Sequence, residues 1–225
     1  MLELSKRLSL IASFVSGGSS VCDVGTDHGY LPAFLYLSGK CKRVIATDIN
    51  QKPIDSARQN LLKFGAQGVK LVLCDGLSGV EDENIDTVII AGMGGEVISG
   101  IIDRADFLKN SAVSLILQPT TAAKELRLFL AKNGFRVDRE QAISENGKIY
   151  SVMLVRFCGK PYTLSETQAL IGILKPDCED SLRYIKKQYN IAQKCANSLQ
   201  NVERKQKEYN YYFNLTNDLK NILGE

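Results

Sequence analysis

The sequence has one histidine, no tryptophan and five prolines in 225 residues, and none of its six cysteines falls in a Cys-x-x-Cys pair. A lone imidazole with scattered thiols argues against a metal centre, and no metal is expected. Cys22, Cys41, Cys74, Cys158, Cys178 and Cys195 do not form a disulfide framework; free thiols in a cytoplasmic protein are the expectation. No apolar run approaches the ~20 residues of a membrane span, so no membrane partner is expected. The short apolar stretch behind Lys6 and Arg7 follows Glu3 and is broken by serines, which speaks against a signal peptide. Neither sign of charge dominates. The 28 Lys+Arg against 25 Asp+Glu give a formal net charge of +3, which permits a polyanionic partner without demanding one. What remains is a chain with 44% hydrophobic residues, long enough to bury one good core and carry a smaller appendage.

The chain is organised around VCDVGTDHGYLP, residues 21–32. Val21, Cys22 and Val24 read as a buried strand, Gly25 and Gly29 as a turn, and Pro32 suits the first turn of a helix. Upstream, Leu4, Leu8, Ile11 and Phe14 recur at helical spacing. Lys6 and Arg7 on that helix are either a solvated face or contacts to a polyanion. Downstream, strands are predicted at 43–48, 70–73, 85–95 and 114–117, with helices at 53–64, around Ile98 to Ile102, and at 122–132. Two further strands, 135–143 and 149–157, flank the hairpin signal Asn146-Gly147. The pattern predicts an α/β fold with a mostly parallel, doubly wound, seven-stranded sheet.

Near Gly159 this rhythm stops. A short helix is predicted at 165–174, and Pro176 is placed at a new helix start. Leu182, Ile185, Tyr189, Ala192, Ala196 and Leu199 then form a narrow apolar seam. Val202, Tyr209, Tyr212, Leu219 and Ile222 form a second, out of register with the first. The slip predicts two antiparallel helices turning between Leu199 and Lys207. Residues 1–158 are therefore expected to form the ligand-binding domain and 159–225 a helical one.

The first strand–turn–helix corner of a doubly wound sheet is where ligand binds. A dinucleotide fold would want glycine where Asp27 stands, and that carboxylate would repel a pyrophosphate. A cationic ligand without phosphates suits the loop better, and S-adenosylmethionine, with its sulfonium and ammonium groups, is one. Asp48, closing the second strand, reads as partner to a ribose diol, with a plain turn residue as the alternative. Asp75 and Gly76 would meet the adenine or form an ordinary Asp-Gly turn; Ile49 and Leu77 would wall the site. Asp23 either holds the glycine loop or touches ligand. Gly92, Gly94 and Gly95 after the fourth strand allow close approach of ligand or substrate, or make a turn. His28 bonds within its loop or faces substrate.

The segments DVGTDHGYLP (23–32), ATDIN (46–50), CDGL (74–77), AGMGG (91–95) and QP (118–119) carry a family likeness. In their order and spacing the chain resembles the bacterial tRNA (adenine-22-N1)-methyltransferases. The likeness covers essentially the full chain, the tail by helical character more than by motif. It implies a seven-stranded class I methyltransferase (Rossmann-like) sheet with a C-terminal antiparallel, coiled-coil-like helical hairpin. It also implies S-adenosylmethionine as cofactor, tRNA as partner, N1 of an adenine as acceptor, and neither metal nor redox cofactor. Asp27 is similar to the family's carboxylate in the first loop, and Tyr30 to the neighbouring aromatic. The Asn-Pro-Pro-Tyr signature of exocyclic-amine methylation is absent.

Adenine N1 carries a free lone pair, so no prior deprotonation is required. Asp27 is expected to balance the charge developing on the base, Tyr30 to stack on or bond to it, and His28 to be a third catalytic candidate. Met93, Gly94 and Gln118 are expected to line the substrate crevice, with Lys6 and Arg7 towards the RNA. Beyond Pro176 the tail has eight Lys/Arg against seven Asp/Glu, so it either positions RNA or is a structural or dimerising hairpin. Oligomeric state stays open, with a monomer as first choice. The alternatives are a methyltransferase for a small molecule or protein, and a non-catalytic RNA-binding scaffold.

Overall fold

The computed structural model describes residues 2–225. Helix α1 (Lys6–Phe14) leads into β1 (Ser19–Val24), followed by α2 (Tyr30–Leu37), β2 (Cys41–Asp48), α3 (Gln51–Phe64) and β3 (Lys70–Leu73). Then come β4 (Thr87–Gly94), α4 (Gly95–Asp103), β5 (Ser114–Thr121), α5 (Ala123–Lys132), and the hairpin of β6 (Phe135–Glu145) and β7 (Lys148–Phe157). The tail holds α6 (Glu166–Ile171), α7 (Glu179–Leu199) and α8 (Gln206–Leu223).

All seven strands join one sheet in the order β3-β2-β1-β4-β5-β7-β6. The first five run parallel, and β7 lies antiparallel between β5 and β6. Alternation along β4 sends Val88 and Ile90 to a core under Ile98, Ile102, Leu126 and Leu130 of α4 and α5. Ile89 faces the opposite core with Ile11, Leu31, Leu35 and Leu61 of α1, α2 and α3. This period-two division of apolar residues is why both faces of the sheet carry helices. Chain order reverses between β1 and β4, leaving a crevice at their carboxyl ends.

Four expectations need correction. Strand β5 does not stop before Gln118-Pro119 but runs on to Thr121. It can do so because β4 takes two register irregularities around Met93, which keep Pro119 and Thr121 opposite Met93 and Gly94. The short tail helix ends at Ile171, where Gly172 turns to φ +64°. Pro176 does not open the next helix, which starts at Glu179 with Glu179 and Asp180 in its first turn, where carboxylates favour the dipole. The turn between α7 and α8 lies within the expected interval, and Lys186 at the start of α7 pairs with Glu225 beyond α8 (3.0 Å), fixing them antiparallel. Val202 is exposed in that turn and takes no part in the seam, which Leu215 and Leu219 complete.

Arg127, one side of which is nowhere visible in the sequence pattern, ties the tail to the sheet. Its guanidinium is enclosed and donates to Glu140 Oε1 on β6 from Nη2 (2.6 Å) and Nε (3.2 Å). It also donates to the carbonyls of Ala169 (3.0 Å) and Leu170 (2.9 Å) on α6, and to the Tyr184 hydroxyl on α7 (3.3 Å). The Ile173 N–H donates to the other oxygen of Glu140 (3.1 Å). Burial opposes the Arg127 charge, and the Glu140 carboxylate and the Tyr184 hydroxyl together more than offset it, so the guanidinium pKa stays above its ordinary value. Replacing one partner strands the other charge in the interior. Arg127→Met is expected to lower stability in urea unfolding by about 3–5 kcal/mol, and Arg127→Met with Glu140→Leu to recover much of that loss.

Candidate active site

The loop after β1 is held by the strand beside it. The N–H groups of Gly25 and Thr26 both donate to the Thr47 carbonyl on β2 (2.8 and 3.0 Å). Gly25 has φ +74°, a backbone conformation that side-chain-bearing residues rarely adopt, and the terminal methyl of Met93 packs directly over it. Asp27 takes a left-handed φ of +47° and presents its carboxylate outward. Tyr30, the first residue of α2, is 40% exposed, its ring tilted against His28 (5.8 Å) and Phe64 (6.1 Å). His28 shares a hydrogen bond between Nδ1 and Ser56 Oγ on α3 (2.9 Å), and its Nε2 lies 3.5 Å from Asp27 Oδ2. Its carbonyl accepts from Asn60 Nδ2 (3.0 Å), so His28 fastens the loop to α3.

Two adjoining lobes open around this loop and share Gly25, Ala91 and Gly92. The larger, about 510 Å³, contains Asp48, Ile49, Asp75, Gly76 and Met93. Asp48 Oδ1 accepts the Asn50 N–H (2.9 Å), and its second oxygen has no protein partner among the described residues. Asp75 Oδ1 accepts from Arg104 Nη2 (3.2 Å) at the rim. Thr47 Oγ1 donates to the Gly76 carbonyl (2.9 Å) and steadies the lobe floor. The expected apolar wall comprises Ile49 and Leu77. Ile49 is exposed on the lobe, but Leu77 turns into the core under α4, and Val97 and Ile101 take its place.

The smaller lobe, about 360 Å³, gathers Arg7, Asp23, Thr26, Asp27, His28 and Tyr30. Asp23 is buried, and desolvation raises its carboxyl pKa to about 7, with the Thr26 hydroxyl working to lower it and Asp48 adding to the rise. Thr26 Oγ1 is buried close enough to act on that carboxyl but makes no hydrogen bond of good geometry to any of the described residues. Such an orphaned hydroxyl beside a poised carboxyl is what a polar ligand would satisfy.

Gln118 does not line the crevice as expected, and Arg7, read as a solvated residue or a polyanion contact, is tied to the hairpin and to Gln118. Its Nε meets Glu145 Oε2 (3.3 Å), its backbone N–H donates to Glu145 Oε1 (3.0 Å), and Nη1 donates to Gln118 Oε1 (2.5 Å). Partial burial works to raise the Glu145 pKa, but hydrogen bonds from Arg7 and Ser5 hold it below the usual value. Gln118 is fully enclosed; the same oxygen accepts the Gly92 N–H (3.2 Å) and its Nε2 donates to the Pro119 carbonyl (2.9 Å). It therefore lies beneath the crevice floor, fixing Arg7 and Gly92, rather than at the surface. Lys6 is exposed, and Gly94 stands just past the lobes, where β4 passes into α4. Sequence reading missed Thr26, Glu145 and the Val97–Arg104 face of α4; a Glu at the hairpin turn opposite Arg7 gives no signal until the sheet is folded.

Residues 4–153 match the family described as Methyltransferase domain. The chain is similar to the tRNA (adenine(22)-N(1))-methyltransferase of Bacillus subtilis, 34% identical over 154 residues; the matched stretch spans 68% of this chain and 65% of that protein. The crystal structure of the B. subtilis m1A22 tRNA methyltransferase superposes with a TM-score of 0.85 at 26% identity, covering 99% of this chain and 100% of that one. Streptococcus pneumoniae Sp1610, solved with S-adenosyl-L-methionine, gives 0.82 at 32% identity, covering 98% of this chain and 100% of that one. M. capricolum TrmK, solved with S-adenosyl-homocysteine, gives 0.80 at 26% identity, with 98% of each chain covered. Because the likeness runs through the tail helices as well as the sheet, it separates this chain from methyltransferases at large: it belongs to the bacterial tRNA (adenine-22-N1)-methyltransferase family of class I S-adenosylmethionine-dependent enzymes.

Proposed function

We propose that this protein methylates N1 of adenine 22 in tRNA, using S-adenosylmethionine. The carrying observation is the charge of the paired lobes. Asp23, Asp27, Asp48, Asp75 and Glu96 face them against two arginines; Glu145 engages Arg7 and Asp75 engages Arg104, which leaves Asp23, Asp27, Asp48 and Glu96 without an arginine partner. A phosphate-bearing ligand meets repulsion there, and a cationic one meets attraction. The buried Thr26 hydroxyl and the lining at Gly25, Ala91 and Gly92 common to both lobes fit a ligand that lies across them.

When bound, S-adenosylmethionine supplies an electrophilic methyl group on a sulfonium. Asp48 is assigned to the ribose, Asp75 and Gly76 to the adenine, and Asp23 with Gly25, Gly29 and Gly92 to the remainder. Holding N1 of the target base in line lowers the barrier by orientation alone, and no general base is required. Asp27 stands at the lobe mouth, where its carboxylate offsets the positive charge arriving on the base. Tyr30 offers an exposed ring on which an extruded adenine can stack. His28, bonded to Ser56 and beside Asp27, orients that carboxylate.

We assign cofactor binding and chemistry to 1–158 and RNA positioning to 159–225. The six free thiols favour a reducing compartment, so we place the protein in the cytoplasm. Among the described residues no helix is long and apolar enough to cross a membrane.

The direct test is incubation of unmodified tRNA with labelled S-adenosylmethionine, followed by nucleoside analysis: 1-methyladenosine at position 22 is expected, and a label elsewhere refutes the assignment. Asp27→Asn should slow single-turnover transfer at saturating substrates by ~10²-fold while tRNA affinity changes little. Asp48→Ala should instead weaken S-adenosylhomocysteine binding by ~10-fold or more, read by calorimetry. A cationic ligand binds best to the ionised form of Asp23. Since that carboxyl titrates at about 7, affinity should rise with pH up to about 7 and level off above it. Asp23→Asn should flatten this profile.

A further inference from the structure

A separate cavity of about 220 Å³ opens where the carboxyl end of β5 and the start of β7 meet α7. Thr120 and Tyr150 on the sheet side face Lys187 and Gln188 on the helix. Two of these walls touch residues that line the crevice. Thr120 Oγ1 donates to the Met93 carbonyl (3.1 Å), and Tyr150 carries the Arg7 guanidinium 6.0 Å above its ring. A group seated in the cavity therefore adjoins the place where β4 presents Gly92 and Met93.

The polar groups there do not make an anion site. Lys124 is engaged, its Nζ donating to Glu166 Oε2 (2.7 Å) and the Tyr211 hydroxyl (3.1 Å). That leaves Lys187, without an ion pair among the described residues, against the carboxylate of Glu125 on the same lining. One cation against one anion favours an uncharged occupant. Tyr150 offers an aromatic surface, and the Gln188 amide offers both a donor and an acceptor. Planar, hydrogen-bonding and neutral describes a nucleobase, and proteins read unpaired RNA by splaying bases onto aromatic rings and bonding their edges. Resting on the tRNA reading above, we infer that this cavity takes the base of an unpaired nucleotide flanking the target adenosine, with Lys187 at the rim near its phosphate. It is a second base subsite that holds the RNA strand while the target is presented to Met93 and Gly92.

The test uses the full chain and tRNA transcripts made abasic, one at a time, at the nucleotides on either side of the target. At one flanking position, loss of the base should lower kcat/KM for methylation about 10-fold in the wild type. Gln188→Ala should impose a similar loss on the intact transcript, mostly in KM, yet add little on that abasic one. S-adenosylhomocysteine affinity should not change, which shows that the variant is folded. Equal abasic penalties in wild type and Gln188→Ala, or no penalty at any flanking position, would overturn the subsite alone. A wild-type protein that binds S-adenosylhomocysteine but methylates no tRNA would remove the underlying reading, and the subsite with it.

Discussion

The reversal of chain order between β1 and β4 governs everything that follows. A strand that continues outward in one direction is covered by its own crossover helix. Where neighbouring strands send their helices to opposite faces, the carboxyl ends between them stay open. Both lobes occupy that opening, and they meet at Gly25, just after β1, and Gly92, near the end of β4, the two strands on either side of it. The Met93 thioether packed over Gly25 makes the meeting tight. The position of the two lobes thus follows from one topological fact and one close contact.

Two polar anchors then hold the remaining elements to that opening. The first, Arg7 with Glu145 and Gln118, pulls the N-terminal helix across the sheet and holds Gly92 from below. The second, Arg127 with Glu140, draws α5, α6 and α7 onto the β6–β7 hairpin. Both anchors use carboxylates from β6, one near each side of the strand's outer half. The hairpin is therefore the piece through which the helical tail and the catalytic edge share a frame. An apolar pair could have supplied similar stability, but directional bonds fix one docking geometry for the tail.

Much of the fold was legible because apolar periodicity is local. The bounds of β3 were read as they stand, the hairpin turn followed from Asn146-Gly147, and the turn between the tail helices followed from the slip between two seams. Errors fell where a neighbouring strand, not the segment itself, decides. Strand β5 extends through a proline because β4 bulges to match it. Leu77 follows Asp75-Gly76 in sequence, yet its side chain is drawn into the core against α4 because that burial removes more apolar surface from water than a place on the lobe would.

The sequence by itself determined the order of strands and helices and the acidic character of the loops at the sheet's carboxyl edge. Those properties reside in short windows: spacing of apolar residues, glycines at turns, and Asp23, Asp27, Asp48 and Asp75 each closing a strand or opening a loop. Only the tertiary structure decided which charged groups are free and which are spent. Arg7 finds Glu145 across 138 positions and Arg127 finds carbonyls on α6 across more than 40. Such pairings depend on strand order and helix docking, and nothing in a local pattern encodes them.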